Sequence, residues 1–468
     1  MMKVHRVSRF LLVLAVLTPA GLSAQAFGLN EIGACATGRS YANTGAPCKD
    51  ASVLYWNPAA AGQLAGWNID LGASSIAVAS KFSEDSTGRV YTGTQPTAIV
   101  PSAFVTYHAA GSRAAYGLGF YVPYGLTSEW DNSFPGRFMA QKASIKTFYV
   151  QPNLSWQLTP KWAIGGGPVF GHSTVELVQA LDLSSQQLPT GATFGQLGIA
   201  RNTQFATASI KGSSNGFGAA LGAYGQLTQN WTFGARFLAP IYFTYKDADA
   251  TFTQVPTGLT FAADVPNPAG GAPLIAAGTP VDAVVAGQFT GSGALTAQKV
   301  STTIVHPAQI QAGFGYTGYK NWLIDVDYAW VGWKQFDQMV VTFNNAALNE
   351  TIINDYNHSS AIRIGAEYTM PTSGWKFRGG FSGVASAAPP ETVTPMLPEQ
   401  DRNYFTLGAG VPLFGKITAD AAYAYVHTPG ARGRTASRTS RSQTAADLNT
   451  GVYDLSANIF SLTLKASF

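Results

Sequence analysis

From Phe460 to the last residue the chain alternates: Phe460, Leu462, Leu464, Ala466 and Phe468 fall on one side, and Ser461, Thr463, Lys465 and Ser467 on the other. Successive side chains of a strand point to opposite faces, so this pattern predicts a strand with one apolar and one polar face. The same period runs through Trp322, Ile324, Val326, Tyr328 and Trp330 against Asp325 and Asp327, and through Ile362, Ile364, Ala366 and Tyr368 against Arg363 and Glu367. It recurs at Phe148, Val150, Leu154 and Trp156 against Thr147, Gln151, Asn153 and Ser155. An antiparallel sandwich and a barrel in lipid would both produce it.

Loop lengths separate the two. Short turns are predicted at 110–113, 159–161, 228–230, 317–320, 371–374 and 414–416, with long segments near 81–98, 125–141, 178–206, 247–299, 334–357, 389–402 and 431–451. Strict alternation of short turn and long loop belongs to outer-membrane barrels, whose short turns lie on the periplasmic side. The pattern predicts fourteen strands: 75–80 with a start near 66, 99–109, 114–124, 142–158, 161–177, 207–227, 231–246, 300–316, 321–333, 358–370, 375–388, 403–413, 416–430 and 453–468. Trp130, Trp156, Trp162, Trp231, Trp322, Trp330, Trp333 and Trp375 cluster near strand ends, the place of an aromatic girdle.

The first 26 residues set the compartment. Lys3, His5, Arg6 and Arg9 precede an apolar run from Phe10 to Leu17, and Ala24-Gln25-Ala26 supplies a small-residue cleavage pattern. Residues 1–26 therefore read as a secretory signal peptide cut after Ala26, with Ala24 the other candidate. Past it, no stretch approaches the ~18 apolar residues a spanning helix needs. Charged residues make up 12% of the chain and the net charge is +4 without a basic cluster, which argues against a nucleic-acid partner. Cys35 and Cys48 form an even pair in an oxidising compartment, which predicts a disulfide.

Letters that imitate other chemistry lack its context. Gly313-Phe314-Gly315-Tyr316-Thr317-Gly318 fits a dinucleotide fingerprint but ends in a turn before a strand, where the fingerprint must open a helix. Gly212-Ser213-Ser214-Asn215-Gly216 spells a nucleophile elbow without a strand-to-helix turn. The six His are isolated, with no metal spacing. No enzyme, cofactor or metal is expected; a general porin, and then an outer-membrane lipase, are the competing functions.

Residues 27–65 lack sustained alternation, are too short for a domain, and read as an N-terminal hatch ahead of a barrel over 66–468. Phe27 through Asn57-Pro58-Ala59, then Val122-Pro123-Tyr124-Gly125-Leu126 with Trp130 and Gly136-Arg137-Phe138, His306-Pro307-Ala308 opening a strand, and Pro398-Glu399-Gln400-Asp401-Arg402 resemble, in order, the FadL-type outer-membrane transporters of long-chain fatty acids and hydrocarbons. The long low-charge loop at 247–299 and the cysteine pair depart from that family.

The resemblance implies an all-β fold, a 14-stranded antiparallel transmembrane barrel with a hatch in its lumen, in a monomer of the outer membrane. It further implies capture of a hydrophobic small molecule by long loops, a lumen pocket, hatch movement and lateral exit where the third strand bends inward. Gly117, Gly119, Pro123 and Gly125 would mark that bend, because Gly and Pro interrupt a ladder. Asn57 is expected to bond backbone freed by it, with Pro58 and Ala59 directing the chain. A carboxylate ligand would need a cation, and Arg236, Arg363, Lys376 and Arg378 are inward candidates. Phe468 looks like the terminal signal read by the barrel assembly machinery, and outer-membrane lipid and lipopolysaccharide are the expected surroundings.

Overall fold

The computed structural model describes residues 26–188, 190–433 and 449–468; the leader up to residue 25 lies outside them. Fourteen antiparallel strands follow: β1 Gly66–Glu84, β2 Ala98–His108, β3 Ala114–Glu129, β4 Lys142–Thr159, β5 Trp162–Asp182, β6 Gln204–Gln226, β7 Trp231–Leu238 with Ile241–Gln254, β8 Gln298–His306 with Gln309–Tyr316, β9 Trp322–Val331, β10 Ser359–Thr369, β11 Lys376–Val384, β12 Arg402–Phe414, β13 Ile417–His427 and β14 Gly451–Ser467. Each pairs with the next, and β14 returns to β1 along a ladder from Asn68↔Ser467 to Glu84↔Gly451. Closure leaves no open edge, the condition for a sheet in hydrocarbon.

The faces settle what alternation left open. Phe460 and Leu462 are 60% and 54% exposed, whereas Ser461 and Thr463 are 4% and 3% exposed. A sandwich would bury the apolar set, and here it faces outward, as lipid demands. No helix among the described residues is long and apolar enough to cross a membrane.

Three details differ from the sequence reading. Trp67, Trp156, Trp162, Trp231, Trp322 and Trp375 are exposed beside the chain ends or short turns, but Trp130 and Trp333 are buried. Trp130 stacks on Phe134 at 4.5 Å and Trp333 meets Phe27 edge-on at 4.7 Å, so loops and N-terminal segment cover them. β5 and β6 run five and three residues further than the pattern predicts, because their ladder continues to Asp182↔Gln204 above the apolar belt. His306-Pro307-Ala308 does not open a strand: it interrupts β8, as Ala239-Pro240 interrupts β7, since proline offers no N–H to a ladder.

Residues 26–64 form no barrel strand and touch the wall on all sides. Ser155 Oγ on β4 donates to the Ala59 carbonyl (2.6 Å), Thr232 Oγ1 on β7 to that of Gly45 (2.8 Å), and Ser40 Oγ to Ser382 Oγ on β11 (3.1 Å). Short helices at Ala34–Gly38 and Val53–Trp56 and a 3-10 turn at Pro58–Gln63 satisfy the backbone locally.

Candidate gate and hatch contacts

The β2–β3 ladder runs from His108↔Ala115 to Ala103↔Phe120 and stops. Above it, Ala98–Ser102 still pairs with β1, from Ile76↔Ala98 to Gly72↔Ser102, but has no strand on its other side. Thr94 N–H donates to the Glu129 carbonyl (2.8 Å) and Gly93 bridges to Trp130, which closes the opening at its top. The wall therefore holds a window between β2 and β3.

A bulge makes the window. Against β4, the register steps from Tyr121↔Tyr149 to Tyr124↔Thr147, so Val122 and Pro123 oppose Phe148 alone. Such an insertion bends and twists a strand. The backbone freed at the bend is taken by the chain's own start: Leu29 N–H donates to the Pro123 carbonyl (2.8 Å) and Gly125 N–H to the Phe27 carbonyl (3.0 Å). Sequence reasoning placed this partner at Asn57 and the bend partly at Gly117 and Gly119; both are corrected. Asn57 Nδ2 donates instead to the carbonyls of Ala223 on β6 (3.0 Å) and Thr44 (3.2 Å), and its Oδ1 accepts from Ala59 N–H. Gly117 and Gly119 lie in the regular ladder below, where a Cβ would meet Leu54 of the hatch at 2.6 Å and the Phe104 ring at 2.9 Å. Their smallness serves packing, which local sequence cannot distinguish from a strand break.

Two apolar cavities flank residues 26–29. One, under the extracellular loops, has about 80 Å³ of free space and is lined by Phe27, Leu126, Ile304, Phe336, Met339 and Tyr356 among others. The other, about 590 Å³, is lined by Ala26, Gly28 and Leu29 and reaches both inward Val100 and outward Ile99, so it passes through the window. Leu126 and Ile145 border both. Beside Phe27, Tyr124 and His306 pack at 4.1 Å between ring centres, and Tyr149 Oη pairs with His306 Nδ1 at 2.9 Å.

The inward charges hold the hatch and one another. Asp327 accepts the amides of Asn43 (2.7 Å), Thr44 (2.6 Å) and Gly45 (3.1 Å), and Asp325 that of Ala46 (3.1 Å). Arg378 sits between Glu367 (2.7 Å) and Asp420 (2.8 Å), with Lys376 on Glu367 (3.0 Å). Arg363 donates to Asn30 Oδ1 (3.0 Å) in the hatch. Arg236 lies over the Tyr55 ring at 4.2 Å and donates to Gln309 Oε1. None of these four candidate cations lines either cavity, which corrects their assignment to ligand. The cations at the larger cavity are Arg402 and Lys146. Cys35 and Cys48 are joined as a disulfide in the hatch; the two sulfurs and Asp50 lie together, but sulfurs bonded to each other are no thiolate ligands. Phe468 and Trp67 exchange two backbone hydrogen bonds, 2.8 and 3.1 Å, at the closing seam.

A closed lipid-facing barrel with an occupied lumen and an apolar cavity opening through its side defines an outer-membrane transport protein. Residues 14–468 match the family described as outer membrane protein transport protein (OMPP1/FadL/TodX), and the chain belongs to that family. It is 23% identical to the 47 kDa outer membrane protein of Pasteurella multocida over 91% of this chain and 93% of that one. It is likewise 23% identical to the long-chain fatty acid transport protein of Escherichia coli K12, over 86% and 87%. Among solved structures, a Pseudomonas aeruginosa FadL homologue superposes with a TM-score of 0.77 at 19% identity, covering 96% of this chain and all of that one. The Ralstonia pickettii toluene transporter TbuX gives 0.59 at 19% identity, over 95% and 99%. Members of this family are transporters, not enzymes.

Proposed function

We propose that this protein takes up hydrophobic small molecules, fatty acids or hydrocarbons, and releases them sideways into the outer membrane. The observation that carries this reading is the window between β2 and β3 with its through-wall apolar cavity. An apolar solute gains by leaving water for apolar surface, so capture under the loops and exit into lipid both run downhill. Residues 26–29 stand between the two cavities, and their displacement joins them. The hatch body, tied by Asp325, Asp327 and the disulfide, stays in place while this short segment moves. Phe468 serves as the signal for the assembly machinery. Lys142, Lys146 and Lys211, on the outer face, stand as counter-charges to lipopolysaccharide phosphates.

Removal of Pro123 tests the reading. It takes one residue out of the bulge, so that Val122 can pair with Phe148 and β3 can continue alongside β2. The expected result is a folded barrel that still binds a labelled apolar solute but transfers it to the membrane at least tenfold more slowly. Uptake at the parent rate, or a steady open conductance in planar bilayers, would reject lateral release in favour of a pore.

A further inference from the structure

Ala26 is buried and held at both ends of its backbone. Its nitrogen lies 2.7 Å from Glu399 Oε1, and its carbonyl accepts from Arg402 Nη2 at 3.0 Å. The same Arg402 nitrogen pairs with Glu399 Oε2 at 2.7 Å, which makes a clamp with an anionic and a cationic jaw. Glu399 is fully buried and Glu31 nearly so, and Arg402 is the cation acting on both. Two buried carboxylates around one guanidinium leave one negative charge without a counter-ion, a costly arrangement in an apolar surrounding.

A second observation points the same way. Ala26 has φ of +43°, a left-handed conformation that L-alanine avoids when a peptide precedes it. An amino terminus has no preceding carbonyl to clash, so the strain exists only in the uncut chain.

We propose that the mature protein begins at Ala26 and that its α-ammonium is the ligand of the Glu399–Arg402 clamp. The maturing cut then falls between Gln25 and Ala26, one bond ahead of the site favoured by the small residues alone. Water adds across that amide; the leader leaves with the Gln25 carboxylate, and Ala26 keeps the nitrogen as an ammonium. The new charge neutralises the excess carboxylate and releases the strained φ, so cleavage of the leader is what seats residues 26–29 between the cavities. The site is a peptide-amine site, specific for a free terminus and independent of which solute is carried.

Mass spectrometry of the N-terminal peptide, from protein purified out of outer membranes, is expected to read Ala26 first with a free amine. On the folded protein at pH 7, acylation of that amine by N-hydroxysuccinimidyl acetate is expected to be at least tenfold slower than in the Glu399→Gln variant. A first residue of Gln25 or Phe27, or equal acylation rates in parent and variant, overturns the proposal; the first measurement needs no variant to fold.

Discussion

The amide of Leu29 donates to the carbonyl of Pro123 at 2.8 Å, so the start of the mature fold completes the hydrogen bonding of the one strand that leaves the wall. A bend in a transmembrane strand strands polar backbone in an apolar setting, and each unmet group costs a few kcal/mol. Here an internal segment meets that need, and it lies across the path between the two cavities. Gate and segment are therefore one structure.

Leu29→Pro removes that donor while leaving the β2–β3 and β3–β4 ladders untouched. One hydrogen bond contributes about 1 kcal/mol, so displacement of the segment should become easier by about fivefold. The expected outcome is faster transfer of a labelled apolar solute with unchanged heat-modifiable mobility. Slower transfer would show that displacement of the segment is not the limiting step.

Asp327→Asn weakens the grip on the loop at 43–45, because a neutral amide oxygen accepts less strongly than a carboxylate. Loss of two or three charge-assisted bonds should cost about 3 kcal/mol locally. Hydrogen exchange at Asn43, Thr44 and Gly45 is expected to accelerate while exchange in the barrel strands stays slow. Uniform protection in the variant would mean the loop is held by other contacts.

Asn57→Ala leaves the carbonyls of Thr44 and Ala223 without their side-chain donor. Buried acceptors left unmet cost about 1–3 kcal/mol each. The effect should appear as a loosened hatch, detected by protease nicking within residues 44–64, with transfer of solute changed no more than twofold. A large transport defect with an intact hatch would return Asn57 to the gate.

Replacing Cys35 and Cys48 together by Ser opens a loop with a sequence separation of 13. The chain-entropy effect of such a closure is about 3 kcal/mol at most. Barrel yield should be unaltered and hatch nicking increased, whereas unreduced, denatured parent protein should show no reactive thiol. Two reactive thiols in the parent would contradict the bond.

Deletion of Phe468 removes both backbone bonds that it exchanges with Trp67 where β14 meets β1. Folded protein recovered from the outer membrane should fall several-fold, with uptake per folded molecule retained. Equal recovery would dissociate this residue from assembly.

The period of two, the alternation of short turns with long loops and the lack of a long apolar run determine by themselves the strands, their outward faces and closure into a barrel. They do so because lipid imposes a rule that every strand obeys locally. Even the inward positions of Asp325, Asp327, Arg363 and Glu367 follow from it. What those side chains meet does not. Whether Arg363 faces a ligand or Asn30, whether Gly117 breaks a strand or admits Leu54, and whether Asn57 reaches β3 or β6 depend on where residues far apart in sequence arrive inside the lumen. The bulge at Val122-Pro123 shows the boundary: proline marks an interruption in sequence, but only pairing against Phe148 sets how far the strand bends, and only Leu29 decides that the bend is stable. Tertiary structure alone supplies partners across a closed space, since no local pattern carries the distance between them.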